Sequence, residues 1–127
     1  MSEKFKVEFD RKDVELEFYD PTDDAAQTWM DYLNSMSSEK DKAYLGYETK
    51  EQKEAAPSEK VAEWMQLNRK VIGEKEKLIF GLHKNGILKT ADDMRKISLR
   101  DKNKIVAWFD EAIGIKTTKT EQDFTKS

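Results

Sequence analysis

The first nineteen residues alternate between apolar and polar positions in two runs. Phe5, Val7 and Phe9 share one face of the first run, and Val14, Leu16 and Phe18 share one face of the second, with a polar break at 10–13 between them. Period-two alternation of this kind predicts a half-buried β-hairpin over 4–19. Folding the runs about the whole break sets Phe9 opposite Val14, Val7 opposite Leu16 and Phe5 opposite Phe18, with Lys6 across from Glu17. A lone hairpin is marginal in water, so its apolar side needs helices or further strands beneath it. Its outer edges are expected to stay open, with Val7 and Phe9 on the strand that a protein partner would use.

Beyond the hairpin the period becomes helical. Thr22 is placed to cap a helix over 22–37, Asp23 and Asp24 suit its first turn, and Ala26, Trp29, Met30, Leu33 and Met36 form its apolar face. Residues 38–57 are mostly charged around one apolar island, Tyr44, Leu45 and Tyr47. They predict a mobile connection anchored at that island, which is itself a candidate partner-binding surface. From Pro57 and Ser58 onward, Val61, Trp64, Asn68, Val71, Lys75, Leu78 and Leu82 step by three and four, with Met65, Ile72 and Ile79 beside them. This seam predicts a helix over 58–84, roughly 40 Å long, with Gly73 the point at which it would break. The same seam over 61–82 is suited to pairing with a second copy in a homodimer.

The segment HKNG at 83–86 reads as a helix end, closed by a glycine free to adopt a left-handed backbone. Thr90 with Asp93 and Ser98 with Asp101 then form two capping signatures. They predict a short helix over 91–97 and a longer one over 99–113. Leu99, Ile105, Val106, Phe109, Ala112 and Ile113 make the buried face of the longer helix, with Trp108 at its border. Residues 117–127 read as a disordered tail. The expected fold class is therefore α+β and mostly helical: an N-terminal hairpin on a bundle of three or four helices, forming one domain over 1–116. With one tryptophan in each main helix, Trp29, Trp64 and Trp108 are expected to meet in a common core.

Composition adds limits to this picture. The chain has 127 residues, 39% of them charged and 37% hydrophobic, so its apolar side chains must be concentrated on one face of each element. Cysteine is absent, which excludes disulfides and thiolate chemistry and fits a cytoplasmic protein. The start lacks a signal-peptide pattern and no apolar run is long enough for a membrane span. Although the net charge is only −3, residues 1–59 carry 8 Lys/Arg against 16 Asp/Glu, and residues 60–127 carry 15 against 10. Such asymmetry suits either a charged partner or halves that pack on each other. Lysine outnumbers arginine strongly, as in chains from AT-rich genomes.

No constellation for catalysis emerges from the residue pattern. His83 stands alone, near a helix end whose dipole favours the protonated ring, with no second histidine or cysteine to complete a metal set or a nucleophile and base pair. Carboxylate pairs at Asp23/Asp24 and Asp92/Asp93 are explained by helix first turns, and none of the common phosphate, dinucleotide, zinc or calcium motifs occurs. The expectation is a protein without enzyme activity or cofactor. Arg95, Lys96, Arg100, Lys102 and Lys104 form a basic segment, within 84–104, that offers the alternative of a nucleic-acid-binding regulator. The turn at Ile97 and Ser98 is short for a helix-turn-helix, and the acidic first half would repel phosphate. Protein interaction, as in a small adaptor, assembly factor or chaperone-like protein, is the favoured reading. In outline the layout is similar to that of small phage tail-assembly chaperones, in arrangement alone and through no motif, which implies a phage or mobile-element source.

Overall fold

The computed structural model describes residues 2–114; the tail expected at 117–127 lies outside them. An N-terminal β-hairpin packs against a mostly helical assembly, as the pattern predicts. The elements are β1 (Ser2–Phe9), β2 (Lys12–Tyr19), α1 (Asp23–Ala43), α2 (Lys50–Glu54), α3 (Ser58–Gly81), a 3-10 helix (Ala91–Lys96) and α4 (Leu99–Ala112). The described residues divide between two compact units, one of residues 2–27 and 76–114 and the other of residues 28–75, so that α1 and α3 contribute to both.

In the first unit β1 and β2 pair antiparallel, with Phe5 opposite Leu16 and Val7 opposite Val14. This is two residues away from the register that the polar break suggested. Because strand side chains repeat every two residues, the shift leaves the same residues facing the core, and the turn alone decides between the registers. The turn is a two-residue one: Asp10 and Arg11 take φ of 49° and 67°, the positive pair whose twist matches that of the flanking strands. Asp13 and Lys12 consequently belong to β2 rather than to the loop. Lys6 now stands across from Glu15, and Lys4 from Glu17, which preserves opposite charges on the outer face.

Under the hairpin lies a core of Val7, Leu16, Phe18, Ile79, Leu88, Met94, Ile97, Ile105 and Phe109. Phe18 and Phe109 are its largest fully enclosed side chains. Trp108 meets Phe5 edge-on with ring centres 5.6 Å apart. Leu99, expected on the buried face of α4, is instead 68% exposed. Six residues separate it from Ile105, which at 3.6 residues per turn carries it well around the helix from the face that Ile105 and Phe109 share. Glu76 is buried with its Oε2 3.2 Å from Lys102 Nζ, which supplies the partner that an enclosed carboxylate requires.

The second unit contains most of α1 and α3. Helix α1 continues to Ala43, beyond the end at 37 that loss of apolar periodicity suggested. Its charged last turn, with Lys40 and Lys42, suits the negative end of the helix dipole, and Ala43 is buried. A further helix, α2, interrupts the expected loop: the Thr49 hydroxyl accepts from the Gln52 amide, and Gln52 Oε1 accepts in return from the Thr49 amide at 3.0 Å. Helix α3 runs unbroken through Gly73.

Candidate interaction surfaces

Four features of the sequence were candidates for function: the hairpin edges, the island at 44–47, the long seam of α3 and the basic segment with His83. The β2 edge of the hairpin proves largely covered, and the β1 edge only near the turn. In a two-residue hairpin the outward backbone groups of β1 belong to Ser2, Lys4, Lys6 and Glu8, and those of β2 to Asp13, Glu15, Glu17 and Tyr19. On β1, Ser98 N–H donates to the Glu8 carbonyl at 2.8 Å and Glu8 N–H donates to Asp101 Oδ2 at 2.9 Å. The Glu8 amide, the largest cause, and a hydrogen bond from the Ser98 hydroxyl hold the Asp101 carboxyl below its ordinary range. Among the described residues no further backbone group meets this edge at Lys4 or Lys6.

The β2 edge is covered over a longer stretch. Tyr19 N–H donates to the Leu82 carbonyl at 2.7 Å and Lys84 N–H to the Glu17 carbonyl at 2.8 Å. Asn85 then imitates a peptide group of a third strand: its Oδ1 accepts from Glu17 N–H at 3.3 Å and its Nδ2 donates to the Glu15 carbonyl at 2.8 Å. Side-chain and loop cover of this kind blunts a strand edge against unwanted pairing. The sequence expectation of two open edges is therefore corrected for β2, by residues some seventy positions away, and for β1 only at its Glu8 end, by residues some ninety positions away. The structure places Val7 in the core and Phe9 half-buried against it, so neither side chain faces solvent as a free surface.

His83 belongs to the same cover. Its Nε2 accepts from Leu88 N–H at 3.0 Å, which leaves Nδ1, 3.1 Å from the Glu17 carbonyl, to carry the ring proton and donate it. Burial against Phe18 is the main reason its pKa falls below the ordinary 6.5, reversing the dipole expectation. An imidazole with both nitrogens engaged is a fastener rather than a free base. The unfolded ring takes up a proton near 6.5 and the folded ring only at lower pH, so acidification through this window favours the unfolded chain. Urea midpoints measured at neutral pH and about pH 5 should therefore fall more in the native protein than in His83→Ala. An equal fall in both would show that the ring titrates freely in the fold.

The island is ordered against Trp64. Tyr44 stacks on the indole with centres 4.9 Å apart and planes 9° apart, and Tyr47 meets it edge-on at 5.2 Å. The Trp64 Nε1–H donates to the Ala43 carbonyl at 2.8 Å, satisfying one of the carbonyls that the end of α1 leaves without a helical partner. Gly46, at φ 84°, completes the turn, and Leu45 projects from it with 73% exposure. Each tryptophan has ring partners within its own unit. Trp29 stacks on Tyr32 beneath Lys75, Trp64 holds the two tyrosines, and Trp108 packs with Phe5 and Phe18. One-per-helix spacing identifies a buried face but not the neighbour that buries it.

The seam of α3 separates into two parallel stripes. Trp64 is buried and Leu67 and Val71 half-buried, whereas Val61, Met65 and Ile72 remain 39%, 50% and 52% exposed. Met65 and Ile72 are seven residues apart and Val61 precedes Met65 by four, so all three lie along one side of the helix. The recurrence of Met65 and Ile72 one residue beyond Trp64 and Val71 was the signal for a second stripe, whereas Ile79 in the same series is enclosed in the core. A groove of about 370 Å³ in the same unit is lined by Glu39, Lys42, Ala43, Glu63, Gln66, Leu67 and Lys70. Its largely charged and amide lining differs from the apolar walls of small-molecule sites.

The basic segment is interleaved with carboxylates. Lys102 is engaged by Glu76, and Lys96 Nζ lies 3.2 Å from Asp93 Oδ1. Arg100 borders a groove that also contains Glu8, Asp13, Glu15 and Asp101. Arg95 and Lys104 are exposed. Among the described residues there is no cluster of three or more His, Asp or Glu side chains suited to a metal ion, and no helix long and apolar enough to cross a membrane. No protein-family model matches the chain, and comparison with curated proteins and with solved structures returns no match. The chain is thus a small mixed domain of hairpin and helices without a recognised catalytic motif.

Proposed function

We propose that this chain is a non-enzymatic protein-interaction protein, an adaptor or assembly factor, whose docking surface is the exposed stripe of Val61, Met65 and Ile72 on α3. One observation carries the reading: among the described residues, five of the seven large hydrophobic side chains that stand exposed, Met30, Leu45, Val61, Met65 and Ile72, fall within residues 28–75. Single exposed apolar residues need no explanation, but three aligned on one helix do. Their spacing is that of the anchors by which an amphipathic helix is received, so the occupant is an amphipathic helix of a protein partner. Methionine at the centre suits such a contact, being flexible and polarizable.

The basic segment supports the nucleic-acid alternative less well, since Lys96 and Lys102 are already engaged and Arg100 stands among carboxylates. The test is capture by the tagged full-length chain from nuclease-treated native extract, beside a variant carrying Met65→Lys and Ile72→Lys. The native chain should retain a companion in fixed proportion, and the variant should lose at least roughly tenfold in recovery, about 1.4 kcal/mol of binding. Sedimentation of the purified protein distinguishes a second copy from a foreign partner. Equal recovery by both chains would refute the stripe as the docking surface.

A further inference from the structure

We propose that Asn85–Gly86 is a site of spontaneous covalent modification, at which deamidation of Asn85 removes the cover from the outer edge of β2. The chemistry follows from the pair. The amide nitrogen of a glycine, unhindered by a Cβ on its own residue, can attack the side-chain carbonyl carbon of the asparagine before it. A new carbon–nitrogen bond closes a succinimide, the side-chain nitrogen leaves as ammonia, and water then opens the ring at either carbonyl. One water is consumed, one ammonia is released, and aspartate or isoaspartate remains. No oxidant or enzyme is required.

The fold singles out this asparagine. Asn34, Asn68 and Asn103 lie within α1, α3 and α4, where the amide of the following residue is committed to the helix ladder. Asn85 lies in the turn after α3, exposed, and Gly86 takes φ 73° with open space where a Cβ would stand. What the amide holds gives the reaction its consequence. Asn85 Nδ2 is the donor to the Glu15 carbonyl and Oδ1 the acceptor from Glu17 N–H. A carboxylate has no hydrogen to donate, so after conversion the Glu15 carbonyl faces an oxygen instead of an N–H group. The isoaspartate product also lengthens the backbone of the turn. Either change loosens the one stretch of β2 that depends on a side chain for its cover.

The same two hydrogen bonds restrain the first step, because the amide must leave Glu15 and Glu17 before the Gly86 nitrogen can reach it. The reaction rate therefore reports how often the latch opens. The test is to age the full-length protein at physiological temperature and mildly alkaline pH, and to follow peptide masses for conversion of amide to acid. Asn85 should convert ahead of Asn34, Asn68 and Asn103. In a separate Asn85→Asp variant the Glu17 amide should exchange hydrogen several-fold faster than in the native protein, with α4 unchanged. Retention of the Asn85 amide under conditions that convert it in the urea-unfolded chain would overturn the site. Unaltered exchange at Glu17 in Asn85→Asp would overturn its consequence.

Discussion

Replacing Trp64 with alanine is expected to cost about 3–5 kcal/mol and to abolish the hydrogen-exchange protection of residues 43–47. The size follows from how many contacts converge on one ring. The indole supports Tyr44 face-on and Tyr47 edge-on, and its N–H satisfies the Ala43 carbonyl. Aromatic pairs contribute beyond their buried area, and an abandoned helix-end carbonyl beneath a collapsing turn must find water. A Trp64→Phe substitution separates the parts. It keeps an aromatic surface for the tyrosines but removes the donor, and should cost only about 1 kcal/mol if packing dominates. Urea denaturation and exchange mass spectrometry check both variants. If Trp64→Ala leaves residues 43–47 as protected as before, the turn is held by something other than the indole.

Phe18→Ala carries the second large effect, again about 3–5 kcal/mol, because the ring is enclosed on every side. Phe5 lies 6.1 Å from it, Trp108 6.0 Å and His83 5.3 Å, centre to centre. Removing it leaves a cavity between the hairpin and α4 and withdraws the surface against which His83 is buried. A domain has a total stability of only about 5–15 kcal/mol, so the variant should be marginal at physiological temperature. Thermal unfolding followed through near-ultraviolet circular dichroism would reveal this as loss of the aromatic signal at a much lower midpoint. A loss below about 1 kcal/mol would mean that the site can collapse around the missing ring, contrary to its packing.

The different fates of the sequence expectations have physical causes. Strand faces, the Thr22 cap, the paired caps at Ser98 and Asp101, and the continuity of the α3 seam all depend on residues within a few positions of one another. Alternation and helical spacing therefore reveal them. Register depended on the backbone of Asp10 and Arg11, where neither residue is the glycine that usually marks a positive φ. The continuation of α1 to Ala43 was hidden because its last turns carry charge rather than apolar periodicity. Least legible were the edge covers. Asp101 reads locally as a cap and Asn85 as a helix terminator, and their contacts with Glu8, Glu15 and Glu17 exist only once the hairpin has folded. Likewise the exposed stripe of α3 became distinct only when Trp64, Leu67 and Val71 were found facing inward.

A single measurement separates protein docking from nucleic-acid binding most directly: photo-crosslinking in native extract from a reactive residue placed at Arg69, which lies between Met65 and Ile72 along α3, compared with one placed at Arg100. The account predicts a discrete, nuclease-resistant protein adduct from position 69, mapped to an amphipathic helix of the partner, and little from position 100. Adducts formed only from position 100 and lost on nuclease treatment would contradict it and move function to the basic segment.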